Sequence, residues 1–227
     1  MSIISNIKGW IGEKVTQAGV WALLDGRDYH RYNNVTLKTR NGTTQIDHIM
    51  LSRYGLFVIE TKNYQGWIWG SSSQREWTQS IYGKKTRFQN PLHQNYRHTK
   101  SLAEHLGIDH SLIHPIIWFI GDVTFKTAMP SNVLAGGLIP YIKEFNQIVF
   151  TDDQLARLKT LLYSFQADKS VSSEDHVAQL RKRFDSNTTC PKCGQALVQR
   201  TVRQGVNAGK TFLGCSGFPK CKFVKNR

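Results

Sequence analysis

One stretch constrains the fold of this chain more than any other. TQIDHIML (Thr44–Leu51) is followed by a short turn at Ser52–Gly55 and then by LFVIETKN (Leu56–Asn63). Two apolar runs of strand length around a glycine-containing turn read as an antiparallel hairpin. Glu60 and Lys62 stand two apart on the second strand, so they share a face, while Phe57, Ile59 and Thr61 share the other. Asp47 lies on the neighbouring strand, where the turn brings it close to Glu60. The reading is of two carboxylates and an ammonium converging at one sheet end. His48 should face away from Asp47 and reads as a hydrogen-bonded structural histidine.

Other segments supply the elements around this hairpin. Ile7, Ile11, Val15, Ala18 and Ala22 recur at helical spacing before an Asp25-Gly26 stop. Asn33–Thr39 alternates as a strand and leads to an Asn41-Gly42 turn, and Gly66–Trp69 is a further short strand. Asn90-Pro91 opens a helix through His105, with Pro91 at the first helical position and an expected inner stripe of Leu92, Tyr96, Thr99, Ala103 and Leu106. Pro115–Ile120 and Asn146–Phe150 read as buried strands. Thr151–Gln154 has capping-box form and starts a helix through Phe165. Asp168–Ser173 is polar, as a linker would be, and Glu174–Phe184 reads as a short amphipathic helix. Pro130–Lys143 fits either a lid or an irregular connection. Trp67, Trp69 and Trp77 could stack on bases, but core positions are favoured for all three. The body is therefore α/β, a mixed central sheet flanked by helices.

The C-terminal region has a different composition. Net charge is +14, and residues 187–227 hold eight basic residues and no acid. All four cysteines lie there: Cys190, Cys193, Cys215 and Cys221. The first two have the C-x2-C spacing of a zinc knuckle, and two close pairs across a loop allow a tetrahedral four-cysteine site. Leu197–Arg203 and Thr211–Gly214 read as strands around a Gly205–Gly209 turn. A module this small cannot easily build its own core, so structural Zn2+ answers a physical need. Two disulfides are the competing reading, disfavoured without an export signal. Lys8, Glu13 and Lys14 interrupt any signal-peptide core, and the longest apolar run, Ile116–Ile120, is far below the roughly 18–20 residues of a span. A cytoplasmic chain without membrane contact is the expectation.

The basic excess points to a polyanion partner, above all nucleic acid. Within the tail, Arg200, Arg203, Lys210, Lys220 and Lys222 can neutralise phosphates, and Phe218 is the best placed ring for stacking on bases. Phe212 is assigned to the small core, and Phe223 is a further aromatic among the basic side chains. In the body, Asp47 and Glu60 suit a hard divalent cation, Mg2+ or Mn2+. Lys62 suits the anion that develops in phosphodiester cleavage. On the pattern alone, a surface ion pair is the simpler reading of this trio.

A family resemblance adds weight to the chemical reading. Gly12-Glu13, Thr44-Gln45-Ile46-Asp47-His48, Gly55–Tyr64, the Gly66, Ile68, Gly70 run, Trp77 and Asn90-Pro91-Leu92-His93-Gln94 together resemble the nuclease-related domain (NERD) family. That family is a branch of the PD-(D/E)XK nuclease superfamily, and the match runs from about Gly9 to Gly121. It implies a restriction-endonuclease-like fold, with Asp47 and Glu60 as metal ligands and Lys62 as the catalytic lysine. It also implies Glu13 and Gln94 as supporting site residues. Ile46, where the superfamily pattern has proline, removes no chemical group. His93 and His98 flank the site helix and are not expected as ligands. Residues Cys190–Gly194 and Phe212–Cys221 resemble the zinc ribbon of bacterial type IA topoisomerases, which implies contact with DNA, single-stranded above all.

The expectation is thus a divalent-metal-dependent DNA endonuclease. Residues 1–166 carry the nuclease fold, 167–187 a linker with a short helix, and 188–227 the zinc ribbon. Two alternatives stand beside it: a non-catalytic DNA-binding accessory protein that uses the nuclease fold as a scaffold, and an RNA-directed nuclease.

Overall fold

The computed structural model describes residues 26, 28–39, 42–168, 178, 185–191 and 193–226. The helix expected over Ile7–Ala22, with Glu13, lies outside the described residues, as do Asn41 of the expected turn and most of the expected 167–187 linker. The chain divides into two compact units, one of Met1–Val35 and Gln45–Asp168 and the other of Thr36–Thr44 and Lys169–Arg227. Among the described residues no helix is long and apolar enough to cross a membrane.

The described part of the chain up to Asp168 contains β1 (Tyr29–Thr39), β2 (Gly42–Ser52), β3 (Gly55–Lys62), β4 (Gly66–Trp69), β5 (Glu76–Ile81), β6 (Lys84–Gln89), β7 (Ile113–Phe119), β8 (Val123–Phe125) and β9 (Val133–Leu134). Its helices are α1 (Pro91–Leu106), α2 (Leu138–Lys143) and α3 (Asp152–Ala167). The strands form a five-stranded sheet ordered β1-β2-β3-β7-β9 and a four-stranded sheet ordered β6-β5-β4-β8. In the first, β2 and β3 are antiparallel, whereas β3, β7 and β9 run parallel, so the sheet is mixed as expected.

The hairpin at its centre forms as its pattern predicts, around Arg53-Tyr54, with register from Ser52↔Gly55 to His48↔Ile59. Gly55–Glu60 is buried at every position because β3 is covered on both faces. One face packs Met50, Phe57, Ile59, Ile116 and Trp118 against Leu138, Ile139 and Ile142 of α2. Over the other lies α1, whose Asn95 donates from Nδ2 to Val58 O and Ile116 O, both at 3.0 Å, and so clamps β3 to β7.

Helix α1 begins and ends for identifiable reasons. The Asn90 side chain accepts from Leu92 N, Pro91 occupies the first turn, and Gly107 closes the helix at φ 63°. Its inner face differs from the expected stripe. Asn95, His98, Thr99, Leu102, Ala103 and Leu106 are buried, while Tyr96 is exposed. The stripe has rotated because the sheet end beneath it is polar and takes polar side chains. Helix α3 carries the expected capping box between Thr151 and Gln154.

Two strand assignments need correction. Asn146–Phe150 is not a strand: the amides of Val149 and Phe150 both reach the single carbonyl of Arg53, and Ile148 is exposed. The β5–β6 hairpin was not anticipated, because β6, with the sequence KKTRFQ, carries little apolar signal. Its turn, Tyr82-Gly83, has φ 49° and 79°, the geometry of a tight two-residue connection. Pro130–Lys143 resolves into β9 and α2 with irregular connections.

In the smaller unit β10 (Leu197–Thr201), β11 (Thr211–Cys215) and β12 (Val224–Asn226) form an antiparallel sheet. The first two strands and the turn between them match the expectation; β12 was not foreseen. Its core is small: Leu197, Leu213 and Phe223 packed with the four cysteines.

Candidate functional site

The first candidate site lies at the C-terminal end of β3. Glu60 is 3% exposed. Lys62 Nζ lies 2.6 Å from Glu60 Oε1 and donates to Gln94 Oε1 at 3.2 Å. The two residues share a face by strand periodicity, and α1 brings Gln94 to the same point. The NPLHQ segment explains how. Asn90, fully buried, caps the helix and donates to Ser71 O and Gln74 O, which ties the helix start to the preceding loop. Gln94 follows one turn later, over the strand end.

His98, one further turn along, completes the cluster. Its Nε2 lies 3.4 Å from Glu60 Oε2, and the ring is buried. Residues four apart on a helix share a face, so Gln94 and His98 address the same carboxylate environment. His98 was not expected at the site. Its spacing from Gln94 was the available signal. Burial alone would push the Glu60 carboxyl up, but the His98 hydrogen bond and the Lys62 ammonium outweigh it and hold the carboxyl below its ordinary value.

Asp47 makes its hydrogen bonds with Thr61. Its Oδ2 accepts from Thr61 N at 3.0 Å and from Thr61 Oγ1 at 2.9 Å. The β2–β3 register ends at His48↔Ile59, and Asp47 supplies the acceptor that Thr61 N would otherwise lack. Continued by one step, the register sets Asp47 opposite Glu60, so the two acids are neighbours across the sheet. The direct contacts of Lys62, however, are with Glu60 and Gln94. His48 forms the expected structural bond, Nδ1 to Asn33 Oδ1 at 2.8 Å, and burial lowers its pKa. His93 Nε2 lies 2.8 Å from Ser72 O, away from the cluster.

The donor chemistry fits a hard divalent cation. Asp47 accepts from Thr61 through Oδ2, and Glu60 presents its carboxylate to Lys62 and His98. A cation bound there would share or replace those contacts. Glu13 lies outside the described residues.

The second candidate site is the cysteine cluster. The four Sγ atoms lie within 4.8 Å of one another, with Cys193–Cys215 at 3.2 Å and Cys190–Cys221 at 3.8 Å. A tetrahedral zinc thiolate site has sulfur–sulfur separations of about 3.8 Å, given Zn–S bonds near 2.3 Å. Disulfides need about 2.05 Å, and no disulfide joins these four cysteines. The knuckle turn needs Gly194 at φ 78°, and Gly194 N donates to Cys190 O. The donor set fits Zn2+. Around it Arg200, Arg203, Lys210, Lys220 and Lys222 are exposed. Phe218 is 58% exposed, with the Arg200 guanidinium 5.8 Å from its ring centre. The other two rings differ from the expectation. Phe223 is in the small core, and Phe212 is half-buried outside it. The alternation along β11 turns Leu213 inward in place of Phe212.

Comparison with known proteins finds two families in this chain. The family described as nuclease-related domain matches residues 8–120, and the family described as topoisomerase DNA binding C4 zinc finger matches residues 187–227. An uncharacterised protein of Bacillus anthracis is 35% identical over 184 residues, 78% of this chain and 85% of the relative. DNA topoisomerase 1 of Mycoplasma genitalium is 56% identical over 67 residues, 29% of this chain and 9% of the relative. The corresponding enzyme of Helicobacter pylori is 34% identical over 68 residues, 30% of this chain and 8% of the relative. No solved structure matches. The chain belongs to the nuclease-related domain family and carries, after that domain, a zinc ribbon of the topoisomerase C4 type.

Proposed function

We propose that this protein is a divalent-metal-dependent DNA endonuclease whose zinc ribbon holds DNA, single-stranded regions above all. The observation that carries the reading is the buried Glu60 joined to Lys62 and Gln94 at one strand end, with Asp47 on the neighbouring strand. Asp47 and Glu60 would hold Mg2+ or Mn2+. The cation would supply a water of lowered pKa and charge neutralisation at the phosphate. Lys62 would orient the attacking oxygen or stabilise the charge developing on the phosphate oxygens. Gln94 holds the ammonium in place, and His98 holds the second oxygen of Glu60. In this reading residues 1–166 act on the backbone and 188–227 capture it, through Arg200, Arg203, Lys210, Lys220, Lys222 and the exposed ring of Phe218. Glu13 is a further supporting residue in the same proposal.

The test is a cleavage panel of single-stranded, duplex, branched and supercoiled DNA, and single-stranded RNA, with Mg2+ and Mn2+. Cutting of DNA that is lost in Asp47→Ala and Lys62→Ala is the expected result. Cleavage unchanged by those variants would refute the site, and preferential cutting of RNA would favour the RNA-directed alternative. A second reading has its own support. The Lys62–Glu60 pair at 2.6 Å and the Asp47–Thr61 bonds also describe a self-satisfied sheet end, as in a scaffold that binds DNA without cutting it. Full DNA binding with no cleavage under either metal would select it.

A further inference from the structure

The three tryptophans of the β4–β5 region do not share one role. Trp77 is fully buried and stacks on Phe119 with ring centres 6.3 Å apart. Gly70 is required beside it, because a Cβ there would collide with the Trp77 ring. Trp67 and Trp69 point the other way. Their strand neighbours define an outer face with two rows: Trp67, Ser80 and Lys85, then Trp69, Thr78 and Arg87. Paired residues across antiparallel strands share a face, so each row presents an aromatic ring at one end and a cation at the other. On the opposite side β8 pairs in parallel, Trp67 with Thr124, which puts Lys126 on this face too.

The side chains agree with this arrangement. Trp67 is 52% exposed, Lys126 Nζ lies 4.3 Å over its ring, and Lys85 Nζ lies 6.0 Å from the centre of Trp69. The two indoles meet edge to face at 6.0 Å. An open groove of about 540 Å³ continues from Trp67 past Ser80 and Thr124 to Tyr82, at the tip of the β5–β6 turn. Two acids border this face: Asp122 lines the groove, and Glu76 sits at the far end, paired with Gln89.

A single exposed apolar residue needs no explanation, but adjacent ones forming a contiguous patch mark a contact surface. Two adjacent rings on an open sheet, bordered by Lys85, Arg87 and Lys126, have the composition that single-stranded nucleic acid requires. Every base offers a π-face to an exposed ring, and the flanking cations meet the phosphates. Duplex would hide its bases from the rings. We propose that the outer face of the β6-β5-β4-β8 sheet, centred on Trp67 with Lys126, Lys85 and Arg87, binds single-stranded DNA as a second contact surface, separate from the zinc ribbon. The choice of DNA rests on the proposed function; the surface itself rests on the exposed rings and cations.

Binding of the full-length chain to labelled single-stranded DNA, by anisotropy and by quenching of tryptophan fluorescence, tests this. Trp67→Ala is expected to weaken binding by about 5- to 100-fold, the range for loss of one stacked base. Trp67→Tyr, which keeps a ring, should recover most of it. Lys126→Glu should weaken binding and lower the slope of log affinity against log salt by about 0.7 for each phosphate left without its cation. Tyr163→Ala, at an exposed ring on α3, should bind as wild type. Wild-type affinity and salt slope in folded Trp67→Ala and Lys126→Glu would overturn the proposal. So would a loss confined to duplex DNA or to RNA. The cleavage panel fails or succeeds separately: a wild-type chain that binds but does not cut refutes the nuclease reading, while the Trp67→Ala result still decides the surface.

Discussion

The two candidate metal sites of this chain are built on opposite principles. In the larger unit, Leu102, Leu106, Ile116, Ile117 and Phe119 are fully buried around the polar cluster. Such a core can stabilise the fold without help, at roughly 1.5–3 kcal/mol for each large apolar side chain buried. The polar residues at the end of β3 are therefore not needed to hold the core together. In the ribbon, three apolar side chains join the four cysteines, and the cysteines are the core. There a metal is structure, and the cations and Phe218 lie outside it, exposed. The lesson is that a metal site's role can be read from what else holds its surroundings together.

The sharpest break between the two regions is expected from chelation. Stripping Zn2+ removes a binding free energy on the order of 10 kcal/mol from the ribbon. Four thiols should then react freely, and DNA affinity should fall, with the thermal transition of the larger unit unchanged. A transition that moves with chelation would show that the larger unit also leans on the metal. Cys193→Ser should reproduce the chelated state.

Next in size is Lys62→Ala. Loss of one charge-stabilising group at a reacting phosphate lowers turnover by about 10²–10³-fold. Folding should survive with some loss of stability, because buried Glu60 loses its cation but keeps His98 beside it. Unfolding, or undiminished turnover, would make this pair a structural one like the cysteines.

Asn95→Ala tests the helix clamp and should cost about 1–3 kcal/mol, since Val58 O and Ile116 O would each be deprived of a donor in a dry environment. Denaturant unfolding measures it. A change below a few tenths of a kcal/mol would mean that packing alone positions α1.

The smallest effect concerns pH. Burial depresses the His114 pKa below its ordinary 6.5, partly offset by a backbone hydrogen bond with Tyr54. The unfolded chain therefore takes up a proton more readily than the folded one. The stability this contributes is fully present above about pH 6.5 and is lost as pH falls through the folded-state value. His114→Gln should flatten that part of the stability–pH curve for the larger unit. The ribbon loses stability in acid for another reason, protonation of its thiolates in competition with zinc, and should be unaffected by the substitution.

Several residues show how far the sequence alone could be read. The hairpin, the limits of β4, the start of α1 at Pro91 and the capping box of α3 were all legible, because each depends on neighbours in the chain. Glu60 and Lys62 on one face needed only strand periodicity. The cysteine spacing was legible for the same reason, a knuckle being a local turn. The β5–β6 hairpin escaped notice because its strands are half-polar and owe their pairing to Trp77 and Phe88 beneath them.

What the sequence by itself determined, then, was which residues share a face and which segments turn or cap, since backbone sterics and periodicity act within a few residues. Only the tertiary structure decided what each face meets. Packing of α1 on β3 and β7 turned Asn95 and His98 inward and Tyr96 out. The end of the β2–β3 ladder sent Asp47 to Thr61. The alternation of one short sheet buried Trp77 while leaving Trp67 open beside Lys126. In each case the choice belongs to partners distant in the chain, whose shape and polarity no local pattern contains.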